Sequence, residues 1–157
     1  MRLFKDLFSK APQGFLRSFS YNPGYGDMNG ACHHDQLKKT KDGSWIYISS
    51  NRKELGEPML VSTYSVSEDA VKEFEMFIKE NDIVSLSKRP DSNDFVTDYS
   101  PWNYGIDFDC SASGGSSLES YNISQYKKYS KKDFALMKEL QERFTKLKGG
   151  LISETAE

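Results

Sequence analysis

Between Trp102 and Cys110 every even position is aromatic or apolar (Trp102, Tyr104, Ile106, Phe108, Cys110), and every odd one is polar, charged or glycine (Asn103, Gly105, Asp107, Asp109). Successive side chains on a strand point to opposite faces, so this period of two specifies a strand with one buried and one wet face. Wound as a helix, the same rings would be scattered over two sides. A chain holding such a segment must build a sheet and must also supply something apolar to cover it.

Two helices with single apolar stripes can provide that cover. Ser67 suits an N-cap, Glu68 and Asp69 complement the positive helix end, and Val71, Phe74, Phe77 and Ile78 recur on one side until Asn81 or Asp82. A second helix opens at Ser130, where Asp133 completes a short capping box. Its stripe is Phe134, Met137, Leu140, Phe144 and Leu147, and Gly149-Gly150 stops it. A short amphipathic N-terminal helix is expected from Leu3, Phe4, Leu7 and Phe8, ending before Pro12.

The remaining strands follow from alternation and turn residues. Gly14 to Tyr21 is expected to place Phe15, Phe19 and Tyr21 on one face, interrupted by Arg17. Ala31 to Lys39 and Ser44 to Ser50 flank Lys41-Asp42-Gly43, a hairpin turn by its Asp-Gly pair. The latter strand is apolar on both faces (Trp45 and Tyr47, Ile46 and Ile48), which suits a central position. Met59 to Tyr64 and Ser117 to Ile123 complete the set, and Ile83 to Leu86 is a short extended piece. Asn22 to Gly30 and Lys88 to Pro101 are loops by composition. The predicted class is α+β: a single, mostly antiparallel sheet of about six strands, with two main amphipathic helices packed on one face and a short N-terminal helix. Residues 1–150 are expected to form one domain and 151–157 a disordered tail. No internal repeat stands out.

Composition narrows the functional classes. A chain of 157 residues, 28% charged and 37% hydrophobic, suits one folded domain. The net charge of −2 provides no general field for nucleic acid, although Lys127, Lys128, Lys131 and Lys132 cluster around Tyr126 and Tyr129. Nothing is long and apolar enough to cross a membrane, and Met1 to Lys10 lacks the apolar run of a secretory signal. Cys32 and Cys110 have no CxxC spacing, so reduced thiols and a cytoplasmic location are expected.

Three segments could carry a site. Cys32-His33-His34-Asp35 gathers thiol, imidazole and carboxylate, but on a strand Cys32 and His34 share one face while His33 and Asp35 share the other. Neither pair completes a metal site, and no metal or cofactor is expected. The Gly24-Tyr25-Gly26-Asp27-Met28-Asn29-Gly30 loop has GxGxxxG spacing and precedes a strand, which excludes the dinucleotide fingerprint. Tyr25 and Asp27 on it are candidate partner contacts. Asp107 and Asp109 lie on the wet face of their strand. Glu119 on the next strand joins them if Leu118 points inward; inward Tyr121 and Ile123 would put it on the other face.

No GxSxG, HExxH, EF-hand or kinase motif occurs. The expected function is a non-enzymatic protein-binding or regulatory domain, inhibitor-like, contacting another protein through Tyr25, Asp27, Asp107, Asp109 and Glu119. It is expected to be a monomer or weak homo-oligomer. A small carboxylate- or cation-dependent hydrolase is the alternative, and an assembly role through an unpaired sheet edge is a further one.

Overall fold

A computed structural model describes residues 14–24, 31–92, 102–110 and 118–157. The elements are β1 (Phe15–Asn22), β2 (Cys32–Lys39), β3 (Trp45–Arg52), β4 (Leu60–Val66), α1 (Glu68–Glu80), a 3-10 segment (Ile83–Lys88), β5 (Asn103–Asp109), β6 (Leu118–Ser124), α2 (Lys131–Thr145) and β7 (Leu151–Ala156). The strands form one antiparallel sheet in the order β6-β5-β1-β2-β3-β4-β7. After the β1–β4 meander the chain crosses to the far side of β1. From β6 at one edge, α2 then carries it back to β7 at the other.

Tyr104, Ile106, Phe108 and Cys110 are buried, as the alternation requires, while Trp102 and the odd-numbered residues are half-buried. Both helices cover this face. Phe19 of β1 meets Phe74 of α1 edge-on at 5.0 Å and Phe144 of α2 at 4.6 Å, and Tyr47 of β3 lies 4.8 Å from Phe144. The α1 stripe is buried as its spacing predicts. Ser67 accepts from the Ala70 N–H, and Ser130 and Asp133 exchange both bonds of the capping box. In the β2–β3 hairpin Gly43 takes a φ of 90°, open to glycine and costly for other residues. The Thr40 and Ser44 hydroxyls and the Ser44 N–H all bond Asp42, holding its carboxyl down to about 2.

The sheet has seven strands, not about six, because the expected disordered tail is β7. Every residue of β7 is exposed, so no buried face marked the segment in the sequence. Backbone pairing orders it instead. Met59 and Glu157 exchange both bonds at 2.8 Å, and the Gly149 N–H donates to the Ser65 carbonyl at 2.7 Å. Gly149 does more than stop a helix: a Cβ there would stand 2.5 Å from that carbonyl oxygen, so glycine admits the chain to the edge of β4.

Three further expectations are corrected. A bulge between Leu16 and Ser18 adds one residue to β1, so Leu16 rather than Phe15 joins Phe19 in the core, and Phe15 is 67% exposed. Ile83–Lys88 coils into a 3-10 segment instead of extending. Its turn is tied by the Ser85 hydroxyl to the Asp82 carbonyl and the Ser87 hydroxyl to the Val84 carbonyl. Phe134 leaves the predicted α2 stripe and is 52% exposed, because Asp133, bonded by Arg89, occupies the buried face of that turn. The N-terminal helix expectation, residues 25–30 and most of the 88–101 loop lie outside the described residues.

Candidate functional site

The three candidate carboxylates do not share a face. Asp107 pairs with Ser120, and Phe108 with Glu119, so Glu119 lies on the helix-covered face with Tyr121 and Ile123. Asp107 and Asp109 remain together on the opposite face. There Asp107 accepts from the Ser18 hydroxyl at 2.8 Å, and Glu119 accepts from the Tyr121 hydroxyl at 2.8 Å on its own strand. The triad fails because strand register, not sequence spacing, sets which residues face the same way. Tyr25 and Asp27 lie outside the described residues.

The Cys-His-His-Asp run separates as strand geometry demands. His33 and Asp35 turn toward the helices, while Cys32 and His34 turn away. Asp35 is almost fully buried, and His33 Nε2 lies 3.0 Å from its Oδ1, an ionic approach rather than a well-aligned hydrogen bond. The Tyr47 hydroxyl donates to Oδ2 at 2.5 Å, and Ser49 adds a further bond. Burial opposes ionisation of Asp35, but these donors outweigh it and hold its carboxyl below the usual range. The same carboxylate raises the His33 imidazole, with help from Asn51 and against burial and Lys148. Burial and the adjacent Asp35 drive the Tyr47 hydroxyl far upward, so it stays a donor. The hydroxyls of Tyr47 and Ser49 beside this dyad are thus bonded to Asp35. Among the described residues no three His, Cys, Asp or Glu stand close enough to hold a metal ion. The cluster pins β2 to β3 within the sheet.

A different place offers free volume. Along α1 a groove of about 530 Å³ opens between the helix and the ends of β1, β2 and β3. Leu16, Trp45 and Val71 form its apolar floor, and Phe15 and Met76, 67% and 56% exposed, contribute apolar walls. Its shape is fixed by ties from α1 to the start of β1: Glu75 accepts the Leu16 N–H, and Lys79 donates to the Gly14 carbonyl at 2.7 Å.

Charge on the rim is uneven. Glu68 pairs with Lys72 at 3.9 Å and Glu75 with Lys79 at 3.6 Å. Lys39 sits 5.9 Å from the Trp45 ring centre, and among the described residues no carboxylate lies within ion-pair distance of it. The rim therefore carries one net positive charge. The sequence reading missed this groove because the β1 bulge reverses the phase of Phe15. Met76 did leave a legible signal, as an apolar residue off the stripe of an amphipathic helix.

Compared with known proteins, the chain matches no family model, no curated protein and no solved structure.

Proposed function

We propose that this protein is a non-enzymatic binding domain whose α1 groove takes a short acidic segment of a partner protein. The observation that carries the reading is the pair of exposed apolar side chains, Phe15 of β1 and Met76 of α1, that line one cleft with an apolar floor. Large apolar residues left in water beside a preformed hollow are characteristic of recognition sites. An apolar side chain inserted there would displace water from Trp45, Val71 and Leu16. A neighbouring carboxylate would meet Lys39, which assists encounter and sets orientation more than it adds affinity. The expected partner is thus acidic, the reverse of the basic partner that an acidic sheet face would have drawn.

The test compares the wild-type chain with a Phe15→Asp/Met76→Asp double variant, each used to recover crosslinked proteins from native lysate. One protein should be enriched by the wild type and lost with the variant, with its crosslinks falling on Lys39 or Lys72. Equal recovery by both chains, or none by either, overturns the reading. Both substituted side chains are solvent-exposed, so circular dichroism should show an unchanged fold.

A further inference from the structure

A second cleft lies where the end of β6 meets the start of α2. It encloses about 360 Å³ and is lined by Tyr126, Tyr129, Phe134, Lys127 and Lys128 among others. Its walls are stiff. The Ser92 N–H donates to the Tyr126 carbonyl at 2.6 Å, and the Lys128 N–H to the Pro90 carbonyl at 2.8 Å, with a bridge between Asp91 and Lys127. The Tyr129 hydroxyl donates to the Ser124 carbonyl at 2.6 Å, and its ring meets Phe134 edge-on at 5.6 Å.

Two features mark this cleft as a place for a ligand. Tyr126 is 38% and Phe134 52% exposed, so two rings stay wetted although the core is close by. The second feature is unbalanced positive charge. Asp133 is bonded twice by Arg89, and Asp91 is met by Lys127 at 3.6 Å, so these two carboxylates, nearby among the described residues, already have partners. Among the described residues no carboxylate lies within ion-pair distance of Lys128, which lines the cleft, or of Lys131 and Lys132, which follow it at the start of α2; all three are exposed. At the start of α2 the Asp133 N–H is taken by the Ser130 hydroxyl and the Phe134 N–H by the Ser130 carbonyl.

We propose that this cleft binds a nucleoside phosphate, either as the free nucleotide or as one unit of a single strand. Exposed aromatic faces accept any base by stacking, and a group of unpaired ammonium ions accepts its phosphate. An open cleft of this volume suits one such unit at the lower end of small-ligand sites. The overall charge of −2 does not oppose this, since a local cluster of cations acts within about one Debye length of 8–10 Å. The site is separate from the α1 groove, and either can fail without the other.

Binding is read by titrating the full chain with ATP, a fluorescent oligothymidylate and, as an anion without a ring, tripolyphosphate. ATP or the oligonucleotide should bind saturably in 50 mM salt; binding of both marks a free-nucleotide site, and binding of the oligonucleotide only marks a single-strand site. With three lysines engaged, affinity for the oligonucleotide should fall about twentyfold between 50 and 200 mM salt. Tyr126→Ala/Phe134→Ala should weaken binding at least about fivefold, and Lys128→Glu/Lys131→Glu should abolish it. All four side chains are partly or fully exposed, and an unchanged melting curve verifies each fold. No binding in 50 mM salt overturns the proposal. So does tripolyphosphate binding as tightly as ATP with the ring variant unaffected, since the rings would then have no part.

Discussion

His33 and Asp35 show how much two residues decide once they share a face. Asp35 was visible as a strand carboxylate, but its burial depends on neighbouring strands: Tyr21 lies opposite it on β1 and Ser49 on β3. The pair makes stability depend on pH in a direction that can be worked out. The folded imidazole is raised above its ordinary 6.5, so its contribution is complete below that value and is lost as pH rises through the folded one. The folded carboxyl is lowered, so its contribution is present above its ordinary 3.8 and is lost as pH falls through the folded value. Urea unfolding across pH should therefore show wild-type stability declining from slightly acid to alkaline conditions. His33→Gln should remove that decline, costing about 1–2 kcal/mol below the ordinary value of 6.5 and progressively less as pH rises through the folded one. An equal loss at every pH would refute the ion pair.

At the scale of elements, β7 behaves unlike the rest. Strands β1 to β6 announce themselves through alternation and turn residues, and α1 and α2 through stripes and caps. β7 is ordered by one edge of β4 and by Gly149, which lets it approach. Its removal should have a local and distinctive effect. Deleting residues 151–157 should free the β4 amides that point toward β7, so hydrogen exchange should speed up at alternate residues between Leu60 and Tyr64. Protection in β1, β2 and β5 should fall only with the global stability. Uniform exchange across the whole sheet after the deletion would mean that β7 is integral to the cooperative core. The capping box of α2 shows the opposite relation of sequence to structure. Ser130 and Asp133 were legible as a helix start, yet the guanidinium of Arg89, 44 positions away, is what buries Asp133 and displaces Phe134.

Over the whole molecule, one ring holds the layers together. Phe144 of α2 contacts Phe19 of β1, Tyr47 of β3 and Phe74 of α1, so it joins both helices to the sheet centre. Phe144→Ala should cost about 3–5 kcal/mol with an unchanged dependence on urea concentration. A loss under about 1 kcal/mol would show that the two helices pack independently. The same sheet leaves its other face, with Asp107 and Asp109, uncovered by either helix. The acidic face anticipated from these residues is thus real for the two aspartates but not for Glu119. The two clefts proposed for binding lie instead along α1 and at the start of α2.

From the sequence come the period-two strand at 102–110, both amphipathic helices, their caps and the Asp-Gly hairpin, because each depends on residues a few positions apart. The tertiary structure decides everything that depends on register between distant segments. It puts Glu119 opposite Phe108, adds the residue in β1 that turns Phe15 outward, and supplies the β4 edge that orders β7. Both proposed clefts are of this second kind, since each is bounded by side chains from segments far apart in the chain and its volume exists only after they pack.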